Sequence, residues 1–456
     1  MVLDAKAKTD RGSIPPPADQ QANPFRINTS SWQLMGRLVC LVLAVSPGVV
    51  ASPLLLWAAL PVWALIFITA WGIRIIFRDT IKQYSWPPEN ISPLPQNAPL
   101  PHVTVIMPVR NEEAGIERCV RSLAAIDYPA RENIVVDDNS TDSTWNLLTE
   151  LAEQHPNIRI EKAPPLPPGW IGKSHAAWHT TQLTQGPDEG GEGWLLFTDS
   201  RVTYTADSLN RIVAYAEGRN LDLLSCLPFF ANRGLLEALL APLKLRPFLT
   251  LMYRNGIERT HGAAGGIGAF ILTRRKVYQS FGGHSAFPDH VIEDAMLGAT
   301  SYRYGYRVGV LFTPKELNMQ RYQSYADIRD RSIRSLRSAT CDQVTTLVSD
   351  LALDLLVFTI PLPFALVCLA SQIVGGQFNV LLTVTGLFAL STYLTAAFLV
   401  RDARSLSYFP PVAPWLHPVG AIIKIWLRIL SLAEIIAGSP INWRGRTVAT
   451  PKNVPS

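Results

Sequence analysis

Two short apolar runs, Ile134–Ser140 (IVVDDNS) and Leu196–Ser200 (LFTDS), each lead into aspartate, and this pairing constrains the fold more than any other feature. A parallel strand covered by helices on both faces reads as a continuous β-branched or Leu/Phe-rich run, not an alternating one. Its carboxyl end is where open α/β sheets bind their ligands. Carboxylates at that edge suit the hydroxyls, base edge and metal-bridged diphosphate of a nucleotide-sugar. A third acidic pair, Glu293-Asp294, follows a glycine-rich stretch.

The flanks are of another kind. The chain has 456 residues, room for one large catalytic domain plus membrane parts, and is 48% hydrophobic but only 17% charged. Soluble domains carry roughly 25% charged residues. The apolar excess concentrates in 34–77 and 350–437, whereas 100–345 has ordinary soluble composition. The net charge of +5 is modest and many cations lie near the apolar segments. That fits a membrane surface and argues against nucleic acid, which would want a clustered basic face. Five scattered cysteines without a CxxC pair argue for a reducing compartment and against metal–thiolate chemistry.

Read in order, residues 1–33 are a polar, proline-containing disordered tail, and no cleaved signal peptide is expected. Leu38 to Phe77 is too long for one span of roughly twenty residues. With breaks at Ser46-Pro47-Gly48 and Ser52-Pro53, it predicts a membrane hairpin over 34–77, or else one tilted span after an interfacial helix. Residues 78–101 form a Pro-rich linker. Strands are predicted at His102–Pro108, Asn133–Asp137, Ile158–Ile160 and Trp194–Asp199, with helices at Glu112–Ala125, Asp142–Gln154 and Ser174–Gln182. This alternation predicts a parallel sheet in a catalytic domain over 102–345.

Leu235–Met252 is apolar but broken by Pro242 and Pro247; it reads as a core helix pair or as a membrane-touching element. Leu351–Val374 and Phe378–Val400 read as two full transmembrane helices within 350–400. Arg401 and Arg404 then return to the cytoplasmic side with the catalytic domain. Val412–Ala437 carries Lys424 and Arg428 on one face, which suits an interfacial helix over 412–437 better than a span. Residues 438–456 would be a cytoplasmic tail.

VIMPVRNEE (105–113), IVVDDNSTDST (134–144), GWIGKSHA (169–176), LFTDS, GGIGA (265–269), IEDAML (292–297) and WRGR (443–446) occur in that order. The series resembles family 2 inverting glycosyltransferases of GT-A fold, over about 102–340 plus the tail. PPGWIGKSHA and GGHSAFPDHVIEDAMLG make it most similar to the membrane glycosyltransferases of carotenoid and hopanoid biosynthesis. The implied architecture is an α/β GT-A domain, Rossmann-like with a mostly parallel sheet, and flanking transmembrane helices.

The resemblance implies a role for each matched residue. Asp138 accepts the N3–H of a uracil-type base, Pro108 and Arg110 line the nucleoside, and Glu112 lies near base or ribose. Lys173, opening a helix, meets the donor diphosphate. Asp199 is the first carboxylate of the metal-binding DxD and holds a divalent cation, Mg or Mn. Arg201 stands where the second aspartate is usual; the cation is kept with one carboxylate, or Arg201 itself neutralises the diphosphate. Asp294 is the catalytic base of an inverting transfer, with Glu293 beside it. Gly265 and Gly266 permit close approach of sugar or acceptor. Arg334 fills the arginine position of QxxRW, whose glutamine and tryptophan are absent, which weakens a processive synthase and fits a single transfer. Local readings compete at several positions: Asn139-Ser140-Thr141 and Asp142 as turn and helix cap, and Lys173 as a solvated lysine.

The expected partners are a nucleotide-sugar donor, an apolar lipid acceptor (carotenoid first, hopanoid or other isoprenoid next) and the bilayer. The rivals are a polysaccharide synthase and a catalytically weak membrane scaffold. The first would want more spans and an intact QxxRW; the second conflicts with intact Asp138, Lys173 and Asp294.

Overall fold

The computed structural model describes residues 53–85, 100–184, 193–232, 234–255, 267–320, 324–340, 344–376, 378–443 and 446–448. Its sheet domain alternates as expected: β1 (Val103–Val109), α2 (Ile116–Ala124), β2 (Arg131–Asp137), α3 (Thr144–Gln154), β3 (Ile158–Lys162), α4 (Gly172–Leu183) and β4 (Trp194–Thr198), after α1 (Pro53–Tyr84). Then come β5 (Val202–Tyr204), α5 (Ser208–Gly218), β6 (Leu223–Phe230), α6 (Leu235–Asn255), β7 (Phe270–Arg274), α7 (Arg275–Ser280), α8 (Glu293–Arg303), β8 (Val308–Met319) and α9 (Tyr325–Thr340).

The sheet order is β3-β2-β1-β4-β7-β6-β8-β5. Strands β3, β2, β1 and β4 are mutually parallel, β7 is antiparallel to β4 and β6, and β6 is parallel to β8. The mostly parallel α/β sheet read from the sequence is therefore present. Each residue of β4 is buried, as helices over both faces require. Consecutive connections run outward from β1 to β3, then return to β4 on the other side of β1. The chain reverses between β1 and β4, and a ligand crevice is expected at that point.

The apolar helices depart from the sequence reading in four ways. First, the described half of the 34–77 region is one continuous helix, α1, which runs on to Tyr84 and so takes the first residues assigned to the linker. Residues 34–52 and 86–99 lie outside the described residues. Second, α6 is a single helix through Pro242 and Pro247, packed against α1 and the helix at 417–436.

Third, the first of the two predicted full spans is broken. It is α10 (Val344–Leu353), a π-helical segment (Asp354–Thr359) and α11 (Pro361–Gly375), with a 45° bend between 347–359 and 361–375. Pro361 and Pro363 lack the N–H that would continue the ladder, and a π segment next to a proline is a common cause of such a bend. The second span stands as α12 (Val380–Asp402). By length and composition Leu56–Tyr84 and Val380–Ser405 can each cross a membrane, and the bent pair makes a third if it counts as one span.

Fourth, the charged face of the last helix, α13 (His417–Ile436), points inward. Lys424 Nζ lies 3.2 Å from Asp354 Oδ1, and Arg428 Nη2 lies 3.0 Å from Asp350 Oδ2. The face presented outward is Val419, Ile422, Trp426, Ile429 and Ile436. Its spacing of three and four residues makes a helical stripe suited to the acyl boundary.

The helix ends that enter the sheet domain lie together. Arg74 Nε pairs with Asp402 Oδ2 at 3.0 Å, tying α1 to α12. Beyond them, Ser85 bridges to Phe312 of β8 and Ser407 to Phe230 of β6. A final hairpin, β9 (Ile441–Trp443) and β10 (Arg446–Val448), follows α13.

Candidate active site

The site forms where the chain reverses. Thr198 pairs with Phe270, which sets Asp199, one residue past β4, beside Gly268 and Ala269, just before β7. The Asp199 amide donates to the Ala269 carbonyl at 3.4 Å. Helix α8 starts at Glu293, so Glu293 and Asp294 bring carboxylates to a helix N-terminus, where the dipole favours negative charge. Lys173 stands in the first turn of α4, where the same dipole opposes a cation. Two carboxylates compensate: Lys173 Nζ is 2.7 Å from Asp199 Oδ1 and 2.8 Å from Glu293 Oε1.

Asp294 completes the cluster. Its Oδ1 accepts the Ala295 amide at 2.8 Å and its Oδ2 the Gly268 amide at 2.6 Å. Burial, then the neighbouring Glu293 charge, push the Asp294 carboxyl up to about 7, while Lys173 and the two amides restrain it. For Lys173, burial works against the charge, but Asp199, Glu293 and Asp294 outweigh it and raise the pKa. His284 is buried and neutral: burial and the Lys173 charge push it down to about 3, and its Nδ1 lies 2.9 Å from Tyr278 Oη. At neutral pH it offers no competing acid.

Gly265 and Gly266 lie outside the described residues. The glycine of that motif seen at the cluster is Gly268, which the sequence reading passed over. A Cβ there would sit 2.8 Å from Asp294 Oδ2 and 3.2 Å from Lys173 Nζ. The GGIGA motif held the signal, but nothing local separated its third glycine from the first two.

On the nucleoside side, Asp137 and Asp138 divide their work. Asp137 closes the loop by accepting the Ser140 amide at 3.1 Å. Asn139 takes φ 53°, a left-handed conformation that asparagine tolerates. Asp142 accepts the Thr144 amide at 3.0 Å, the cap reading of that residue. Asp138 instead meets Arg446 of the last hairpin, whose Nη1 lies 2.9 and 2.7 Å from its two oxygens. Arg110 Nη1 donates to the carbonyls of Asp138 and Asn139 at 2.5 and 2.6 Å. Pro108 lies on β1 opposite Val136. Arg444 is outside the described residues. The Arg446 contact joins β2 of the sheet domain to the hairpin that follows α13, and no local pattern announces it.

Glu112 and Arg201 are drawn away from this edge. Arg201 is 5% exposed, with Nε 3.1 and 3.0 Å from the Glu112 oxygens and Nη1 2.8 Å from Asp327 Oδ2. Arg331 adds a 2.5 Å contact to Asp327 and lies 3.7 Å from Glu112. Arg334, one turn on in α9, is half-buried. The two residues read as donor contacts thus form the centre of an internal ion network.

Among the described residues no cluster of three or more His, Cys, Asp or Glu side chains is arranged to hold a metal ion. Asp199, however, gives only Oδ1 to Lys173, and its side chain is 30% exposed. One carboxylate with phosphates and waters is a donor set that a hard cation accepts, so the residues present fit such an ion.

Lys173 thus gathers two carboxylates at the switch point of the α/β sheet, where a ligand crevice is expected. The chain belongs to glycosyl transferase family 21, whose model matches residues 64–453. It is 29% identical over 184 residues to the beta-monoglucosyldiacylglycerol synthase of Synechocystis sp., covering 39% of this chain and 35% of that protein. It is 26% identical over 199 residues to the 4,4'-diaponeurosporenoate glycosyltransferase of Staphylococcus aureus, covering 43% and 50%. The chain thus spans between about a third and a half of the curated relatives it matches. The mannosyltransferase PcManGT of Pyrobaculum calidifontis, solved with GDP-Man and Mn2+, is 19% identical with a TM-score of 0.49, covering 82% of this chain and 99% of that one.

Proposed function

We propose that this chain moves one sugar from a nucleotide-sugar to a hydroxyl or carboxyl of an apolar lipid, with inversion, on the cytoplasmic face of a membrane. The observation that carries the reading is the Lys173 ammonium bridging Asp199 and Glu293 beside the Asp294 carboxylate. A general base works best with a pKa near the operating pH, and Asp294, pushed up to about 7, meets that condition. In this reading Asp294 takes the acceptor's proton as its oxygen attacks the anomeric carbon. Lys173 stabilises the diphosphate that leaves from the opposite face. The Gly268 amide keeps the Asp294 carboxylate aimed while it changes charge.

Asp199 would hold a divalent cation together with the donor phosphates, and the cation would supply further neutralisation of the leaving group. Pro108 and Arg110 line the nucleoside, while Arg201, Glu112 and Arg334 support the site from behind. The lipid acceptor is favoured by the outward apolar stripes of α1, α11 and α13, and by two relatives whose names specify diacylglycerol and diaponeurosporenoate. A carotenoid remains the leading acceptor, with a hopanoid or other isoprenoid next.

The test is reconstitution. Full-length protein in lipid nanodiscs is given nucleotide-sugars and apolar lipid fractions, with and without chelator, and products are read by mass. A lipid gaining one hexose or deoxyhexose is the expected result. Sugar chains of graded length, or transfer only to water-soluble acceptors, would overturn the reading. Full activity in chelator would remove the cation from it.

A further inference from the structure

Helix α9 is anchored near both ends by charged side chains. In its first turn, Asp327 takes Arg201 Nη1 on Oδ2 at 2.8 Å and Arg331 Nε on Oδ1 at 2.5 Å. Further along, Arg337 is 2% exposed, and its Nη1 donates to the Ser439 carbonyl at 2.9 Å and to Glu434 Oε2 at 3.4 Å. Glu434 is in the last turn of α13, and Ser439 lies just beyond it. At a rise of 1.5 Å per residue, the two anchors are about 15 Å apart along the helix.

The sides of α9 follow from the helical repeat. Asp327 and Arg331 are one turn apart and share the side that meets Arg201 and Glu112. Ile328 and Ser332 trail them by one position and so form the adjoining side. Ile328 joins Leu240 of α6 and Leu427 of α13 in a small apolar cluster of their own. The Ser332 hydroxyl meets Lys244 of α6, and Lys424 of α13 donates to the Leu243 carbonyl of α6 at 3.0 Å. The sheet domain thus grips one side of α9, and α6 with α13 grips the next.

The near anchor holds the turn that presents Asp199. The Val202 amide donates to the Asp199 carbonyl at 3.2 Å, and Arg201 is the third residue of that turn. Its guanidinium spans Glu112 and Asp327, so a shift of the turn either carries α9 along or parts a buried ion pair. The far anchor holds the helix whose outer side is the apolar stripe from Val419 to Ile436.

We propose that α9 is a strut that fixes the Asp199 turn relative to α13, with Asp327 and Arg337 as its positioning residues. This rests on the donor-site reading of Asp199 and extends it toward the acceptor. A lipid acceptor arrives from the surface that the stripe of α13 faces, while the donor phosphates rest at Asp199. The strut then sets the height of the anomeric carbon above that surface. Packed helices are the rigid elements through which such coupling passes, and a misplacement of about 1 Å can cost a reaction about a hundredfold.

The test is amide hydrogen exchange of the full-length protein in lipid nanodiscs. Arg337→Met keeps the stem and drops the charge. It should speed exchange across 199–204 about threefold or more, while β2, in the same sheet but off the strut, exchanges as in wild type. Arg337→Lys, which can still donate to Ser439, should restore the wild-type rate. Asp327→Asn, which cuts the near anchor, should loosen 199–204 as Arg337→Met does. Unchanged exchange at 199–204 in either Arg337→Met or Asp327→Asn overturns the proposal. So does equal acceleration of β2, which is general destabilisation, or a lysine variant that behaves as the methionine one. Arg337→Gln is read the same way if Arg337→Met does not fold. Asp199→Ala separates the two readings. If it keeps full transfer in the reconstitution above while Arg337→Met still loosens 199–204, the strut stands and Asp199 leaves the donor site.

Discussion

Arg201 meets Glu112 head-on, with its Nε 3.0 and 3.1 Å from the two carboxylate oxygens in a site where both side chains are almost fully enclosed. In glycosyltransferases of the type this chain resembles, an aspartate is usual at that position. From sequence, Arg201→Asp therefore reads as a harmless restoration. The geometry reverses that expectation. The change would set a third carboxylate beside Glu112 and Asp327 and remove the more buried of the two arginines that face them. Breaking a buried pair costs roughly 3–5 kcal/mol, so Arg201→Asp should lower the melting temperature and the yield of folded protein. A variant that melts with wild type and keeps its activity would sink this prediction.

Asp294→Asn should leave nucleotide affinity nearly intact and slow transfer by roughly 10²–10⁴-fold, the usual loss of a general base. The carboxamide keeps the shape and can still accept the Gly268 amide, but it cannot take the acceptor's proton. Activity within about tenfold of wild type would remove Asp294 from the role, unless the acceptor is a carboxylate that needs no base.

The pH dependence follows from the same residue. Its pKa, pushed up to about 7 by burial and Glu293, is above the ordinary carboxylate value of about 3.9. A base works ionised, so the rate should fall as pH drops through about 7. For stability the sign is opposite: the protonated form is the one the fold prefers, so the contribution is full below about 4 and is lost as pH rises through about 7. Glu293→Gln removes a repelling charge and should move the acidic limb of the rate profile to lower pH. Lys173→Met removes an attracting one and should move it higher. Limbs that coincide in all three proteins would show that another group titrates.

The parallel half of the sheet was legible because strands buried on both faces spell themselves out as apolar runs: β1, β2 and β4 fall within a residue or two of their predicted bounds. The placement of Lys173 and Asp294 in the first turn of a helix, and of Asp199 at the end of a strand, was legible in the same way. What escaped was long-range. The Asp327 partner of Arg201, and Arg446 on Asp138, depend on packing between segments far apart, which periodicity does not report. The apolar helices show the same limit. Lys424 and Arg428 share a helix face, but only the fold shows that the face turns toward Asp350 and Asp354.

Asp354→Ala should weaken the membrane part, because Lys424, 3% exposed, would lose the carboxylate 3.2 Å away. The loss expected for half of a buried pair is roughly 3–5 kcal/mol, read as a lower denaturant midpoint in detergent. The double change Asp354→Leu with Lys424→Met should recover much of it, since the Lys424 charge goes with its partner and Arg428, 3.5 Å from Asp354 Oδ2, keeps Asp350. No recovery would mean that the pair does more than offset itself.

Topology is open to chemical labelling. In a cysteine-free background, Ala437→Cys, exposed at the end of α13, should resist an impermeant thiol reagent in intact cells and react after lysis. Labelling in intact cells would put that end outside, and with it the sheet domain, since Arg446 holds the tail on Asp138.

The partnership of Asp138 with Arg446 has a consequence for the order in which the molecule can be made. The two residues are 308 positions apart, and the apolar helices α11, α12 and α13 lie between them in the chain. During synthesis the sheet edge is complete long before the hairpin that covers it leaves the ribosome. Closing so long a loop by chance adds only slowly to its entropic cost, but here the intervening helices must first pack against α1 and α6. The newborn enzyme therefore carries a bare Asp138 until those helices are in place, and the covered site is itself a record that their packing has finished.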